Sequence, residues 1–197
     1  MVENEDKGIA NFLFEAGMLQ KTPRSGFQFL GSGKESVAEH SLMVIFAAYA
    51  LAKMSEGIQE DRLLKMCMLH DLPEARTGDM NYVNKKYVQV DETRAISDMT
   101  AGVAFGEEIS SLLCEYSKKA TIEARLAHDA DQIALLLKLK ECQDIGNNYA
   151  AEWIDFARQR LQTPEGKRLA EAILGVDSAD WWFSEKGQWW VNGKDRE

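Results

Sequence analysis

DRLLKMCMLHD, residues 61–71, carries apolar side chains almost all round its helical circumference and ends on an imidazole and a carboxylate. A helix of that kind belongs in the middle of a bundle. An unpaired carboxylate there costs several kcal/mol of desolvation unless something compensates it. A metal ion is the simplest compensation for Asp71, and His70 beside it is a ready ligand. Upstream, ESVAEHS (35–41) gives Ser36 and Glu39 the spacing of a capping box, so a helix is expected to begin there. Val37, His40, Val44, Ala47 and Leu51 share one face of that helix, which turns His40 inward, and Gly57 is expected to end it. Downstream, AHDADQIALLLKLKE (127–141) sets Asp131 on an otherwise apolar helix.

The chain has three histidines, and His40 and His70 fall on inward faces of consecutive helices that a short connection packs together. With Asp71 and Asp131 they form a mixed nitrogen and oxygen set that suits a divalent transition metal and leaves positions for water and substrate. A lone inward histidine is more often a hydrogen-bonded core residue, and an HD dipeptide alone is a weak signal. The conjunction carries the reading.

The rest of the chain reads as all-α and as one domain over 1–197. A first helix is expected over about 4–18, followed by the irregular stretch QKTPRSGFQFLGSGK (20–34). The region 80–90 is ambiguous, and helical patterns then run near 91–117, 121–146, 149–162 and 164–174, the last introduced by the cap pair Thr163–Pro164. The tail from 180, DWWFSEKGQWWVNGKDRE, suggests a small hairpin or a packed aromatic tail, with Trp181, Trp182, Trp189 and Trp190 closing a core or an interface. Cys67, Cys114 and Cys142 read as buried hydrophobes, and Met43, Met54, Met66 and Met68 as core filler.

With 23 basic residues dispersed among 32 acidic ones and a net charge of −9, a nucleic-acid or membrane surface is disfavoured. A locally positive pocket for a small anion remains compatible with that balance. No stretch approaches the roughly 20 apolar residues of a membrane span. The start, MVENEDKG, lacks the apolar core of a signal peptide, so a cytoplasmic protein is expected.

Taken in order, ESVAEHS, LHDLPEARTGD (69–79) and DADQIALLLKLKE (129–141) resemble the successive motifs of the HD-domain 5′-deoxynucleotidases over roughly residues 8–160, with 161–197 as an extension. The resemblance implies an HD-type helical bundle holding one divalent ion (manganese, cobalt, magnesium, iron or zinc) through His40, His70, Asp71 and Asp131. Asp129 lies about 200° round the helix from Asp131, so both cannot ligate from one face, and the family pattern selects Asp131. His128 matches no family ligand and reads as structural. The resemblance further implies catalytic roles for Glu74, as general acid or base, and for Asp79, orienting water or substrate. The bland alternative makes Glu74 a first-turn helix carboxylate and Asp79 a cap. TPRSGFQF (22–29) is similar to the family segment that contacts substrate, which makes Arg24 a phosphate ligand and Phe27 the aromatic flanking the nucleotide.

The implied activity is hydrolysis of a (deoxy)nucleoside 5′-monophosphate by a homodimer. The alternatives are hydrolysis of another phosphate ester, and a non-catalytic metal- or nucleotide-binding regulator.

Overall fold

The computed structural model describes residues 2–183, 187 and 189–193. Its helices run in chain order as α1 (Val2–Ala16), α2 (Phe27–Leu30), α3 (Val37–Lys53), α4 (Glu60–Leu69), α5 (Glu74–Thr77), α6 (Glu92–Met99) and α7 (Gly106–Lys118). They continue as α8 (Ile122–Asp144), α9 (Asn148–Gln159), α10 (Pro164–Leu174), α11 (Asp180–Phe183) and α12 (Trp189–Asn192). There are no strands among the described residues, only one isolated antiparallel bridge between Pro23 and Ser36.

Local chemistry sets several of these boundaries. Ser36 and Glu39 close both halves of the expected capping box at the start of α3. The side chain of Thr163 accepts from the Gly166 amide, with Pro164 in the first turn of α10. On α3, Val37, His40, Val44, Ala47 and Leu51 are all buried, as their shared face requires. That helix stops at Lys53, ahead of Gly57.

The centre of the bundle is α8, not the 61–71 segment. Helices α3, α4, α7, α9 and α10 all pack on α8, whose Leu126, Ala127, Ala130, Ile133, Leu136 and Leu139 are buried. On α4, Leu63, Met66, Cys67 and Leu69 are buried, while Arg62 pairs with Glu115 and Lys65 with Glu108 on α7. Those two ionic partners draw one side of α4 to the surface. Met68 of α4 lies exposed, as do Met43 of α3 and Cys114 of α7, so these three are not the core residues expected.

The pattern 91–117 is broken into α6 and α7. Gly102 holds a positive φ of +87° in the intervening turn, and a Cβ on Gly8 would stand 2.5 Å from its carbonyl oxygen. Two glycines thus let α1 and this turn approach backbone to backbone. In the described part of the tail the expected hairpin is replaced by the helical turns α11 and α12. Trp182, Phe183 and Trp190 pack on one another there at centroid distances of 5.2–5.6 Å. All four tryptophans of the tail are nonetheless exposed, Trp181 most of all. Among the described residues no helix is long and apolar enough to cross a membrane.

Candidate active site

Three helices and the turn after one of them deliver side chains to one point. α3 brings His40 from its buried face, the residue capping α4 is His70 with Asp71 next to it, and α8 brings Asp131. Ligand atoms of His40, His70 and Asp131 lie within 4.8 Å of one another. His40 Nε2 is 2.9 Å from Asp131 Oδ1. Asp71 Oδ2 stands 3.2 Å from His70 Nε2 and 4.0 Å from His40 Nε2, which adds the second carboxylate to the cluster.

The donor set fits a metal ion on its own geometry. His70 Nδ1 makes a 2.8 Å hydrogen bond to the carbonyl of Cys67, which fixes that nitrogen as the donor and turns Nε2 toward the cluster. Nε2 is buried and has no hydrogen-bond partner, although Asp71 is close. A buried imidazole nitrogen left open beside two converging carboxylates is what a cation site presents. These four residues could hold a divalent ion.

The electrostatics are strongly coupled. Burial works against ionising Asp131, yet the hydrogen bond from His40 and the charges of His40, His70 and Arg24 hold its carboxyl well below the usual range. Burial likewise opposes the charge on Asp71, and the His70 and Arg24 cations overcome it. For His70 the desolvation is outweighed by Asp71 and Asp131, and its pKa rises to about 9. Glu74 goes the other way. Burial, reinforced by the negative charges of Asp71 and Asp79, pushes its carboxyl up to about 8, and its Oε2 is buried without a partner.

Arg24 is positioned by the loop before α3. Its amide donates to the Glu35 carbonyl at 2.9 Å, and Val37 N–H returns to the Thr22 carbonyl at 2.9 Å, clamping the loop across the start of α3. The guanidinium then reaches Asp71 Oδ2 at 3.3 Å and Asp79 Oδ2 at 3.9 Å. Asp79 Oδ2 also accepts the Ser25 amide at 2.8 Å, so this carboxylate holds the Arg24 loop in place. Arg24, Phe27, Asp71, Glu74, Asp79 and Asp131 all line one cavity of about 710 Å³. Phe27 reaches it from the single turn of α2, and His40 and His70 lie buried behind it.

The two aspartates of α8 separate as helical geometry demands. Asp129 is fully buried on the far side, where its carboxylate accepts from the amides of Gln162 at 2.8 Å and Thr163 at 2.7 Å and from the Thr163 hydroxyl at 2.6 Å. It anchors α10 and takes no part in the cluster. His128 lines the cavity, with Nδ1 3.5 Å from Asp129 Oδ1.

Sequence reasoning missed several residues here. Glu35 Oε2 stands 3.8 Å from His40 Nδ1, a carboxylate behind the imidazole. Gln132 donates to Asp131 Oδ2 at 2.9 Å. Lys119, in a left-handed conformation with φ of 51° at the end of α7, and Trp153 of α9 both line the cavity. The signal for Gln132 was adjacency to Asp131, and for Trp153 a large aromatic one position off the apolar stripe of its helix.

The HD domain family matches residues 16–173. The chain belongs to the HD-domain family of metal-dependent phosphohydrolases. This HD-domain protein is 27% identical over 182 residues to a 5′-deoxynucleotidase of Bos taurus, covering 88% of each chain. It is 30% identical over 150 residues to a 5′-deoxynucleotidase of Vibrio parahaemolyticus, covering 66% of this chain and 76% of that one. Among solved structures, a conserved hypothetical protein from Pyrococcus furiosus superposes with a TM-score of 0.72 at 28% identity, covering 85% of this chain and 99% of the other.

Proposed function

We propose that this phosphohydrolase cleaves nucleoside 5′-monophosphates, deoxynucleotides in particular, to nucleoside and inorganic phosphate. The observation that carries the reading is the convergence of His40, His70, Asp71 and Asp131 beside Arg24 at one end of a cavity. The relatives named as 5′-deoxynucleotidases support the choice of substrate. His40, His70, Asp71 and Asp131 would hold a divalent ion, which would supply Lewis acidity toward the phosphate and lower the pKa of bound water.

The chain's own residues do the rest. Arg24 offers a planar donor fork to phosphate oxygens and neutralises charge that builds on them as water adds to phosphorus and the ester P–O bond breaks. Asp79 keeps that fork aimed by holding the Ser25 amide. Glu74, which keeps its proton near neutral pH, is suited to protonate the departing nucleoside oxygen and then to regain a proton released by the attacking water. Phe27 flanks the organic part of the ester.

The reading includes a cytoplasmic homodimer. The exposed row Leu42, Phe46 and Tyr49 on α3 supports the second copy, and sedimentation equilibrium checks it. The function is tested by phosphate release from a panel of ribo- and deoxyribonucleoside monophosphates with manganese, cobalt or magnesium. Turnover of the deoxynucleotides is expected. Activity on another phosphate ester but on no monophosphate overturns the substrate assignment.

A further inference from the structure

The cavity is larger than its ionic end requires. At about 710 Å³ it falls within the roughly 300–1,000 Å³ of pockets that enclose whole organic molecules, and a phosphate group occupies only a fraction of that. Helix α9 adds Glu152, Trp153, Phe156 and Arg160 to the lining. Leu135, one turn past Asp131 on α8, lines the cavity together with Trp153 and Phe156 of α9. Trp153, Phe156 and Arg160 follow at spacings of three and four, beside the Ala150, Ile154 and Ala157 stripe that packs into the core.

Three contacts fix this second wall to the first. A Cβ on Gly26 would stand 3.5 Å from Cζ3 of Trp153 and 3.7 Å from its Cη2, so the indole lies against backbone two residues past Arg24. The Arg160 guanidinium sits 4.9 Å from the centroid of the Tyr82 ring and donates to Gln132 Oε1 at 3.3 Å. Gln132 in turn donates to Asp131 Oδ2 at 2.9 Å. Phe156 nevertheless stays 60% exposed, a large ring lining a cavity without being packed away.

From this continuity of an ionic end with an aromatic wall, we infer that Trp153 and Phe156 form the subsite for the planar heterocycle of the phosphate ester. Trp153 is the stacking platform, and the pair sets the preference for nucleotides over small aliphatic phosphates. The inference rests on the monophosphate reading above and adds the residues that recognise the base. Stacking on an aromatic side chain tolerates every base, because each has a π-face, and its loss weakens binding roughly 5- to 100-fold.

The test compares wild type with Trp153→Ala, Trp153→Phe and Phe156→Ala, each checked for folding by circular dichroism. Hydrolysis of deoxyadenosine monophosphate and of glycerol 2-phosphate is measured on the metal-loaded enzyme, alongside calorimetric binding of deoxyadenosine monophosphate. Trp153→Ala should lower kcat/KM for the nucleotide at least about tenfold more than for glycerol 2-phosphate, mainly through KM, and Trp153→Phe should recover most of the loss. Phe156→Ala, at an exposed position, should shift the same ratio in the same direction. Equal losses on both esters, or an unchanged KM in both alanine variants, overturn the platform. If wild type binds the nucleotide without hydrolysing it, the substrate reading fails, and the platform stands or falls on the dissociation constants of the same variants. If wild type neither binds nor hydrolyses it, both fail.

Discussion

At His70 a proton and a metal ion compete for the same atom. The Cys67 carbonyl occupies one ring nitrogen, and the neighbouring carboxylates overcome burial to bring the pKa to about 9, so at neutral pH the metal-free ring carries both protons. Metal binding must expel one of them. Affinity should therefore rise about tenfold per pH unit between pH 6 and 8, with close to one proton released, as read by calorimetry in buffers of different ionisation enthalpy. An affinity flat over that range refutes the assignment of His70. Glu74 bears on the stability of the metal-free fold in the same sense as His70, since both native pKa values are raised. Its native pKa of about 8 lies above the usual carboxyl value, so the metal-free fold binds the extra proton and loses stability as pH rises from about 4.5 to 8. Glu74→Gln should flatten that slope in urea titrations, retain metal, and lower kcat about 100-fold or more. Histidines and aspartates on apolar helices are legible in sequence because an ionisable group buried among hydrocarbon needs a partner to offset its desolvation. Glu35 and Trp153 are not, since loop residues and helix-flank aromatics acquire meaning only from partners far along the chain.

Between elements, the contact that decides most is the one from α8 to α10. Asp129, wholly buried, accepts three hydrogen bonds from Gln162 and Thr163. A Cβ on Gly166 would come within 2.4 Å of its Oδ2, so only glycine fits there. Asp129→Ala should cost about 3 kcal/mol, because buried donors lose their acceptor, and Gly166→Ala about 1–3 kcal/mol through overpacking. Urea denaturation reads both. Burial works against the Asp129 carboxylate, but these donors and His128 hold its pKa low. Its contribution is thus present above the unfolded value near 3.9 and lost as pH falls through the lower native one. The caps at Ser36 and Thr163 are legible because both partners lie within three residues. The break between α6 and α7 is not, because apolar periodicity runs on through it and only the turn at Gly102 interrupts the helix.

Over the whole molecule, a net charge of −9 coexists with a cavity lined by Asp71, Glu74, Asp79 and Asp131 and by the cations of Arg24, Arg160, Lys85 and Lys119. A dication that binds the native cluster and not the unfolded chain stabilises the fold by mass action. At a hundredfold excess over its dissociation constant the metal should raise the melting midpoint by about 5–10 °C, and a chelator should reverse the gain. An unchanged midpoint argues against the cluster as a cation site. The all-α class follows from the spacing of apolar residues, whereas the identity of the central helix does not, because α4 and α8 are both rich in apolar residues and only their neighbours distinguish them. On α8, a single turn of backbone carries a foundation stone on one side and the business end on the other: Asp129 is bolted to α10 while Asp131 serves the cavity. Heat cannot slacken the carboxyl-terminal third without jarring the reactive pocket, so inactivation and unfolding should trace one and the same curve.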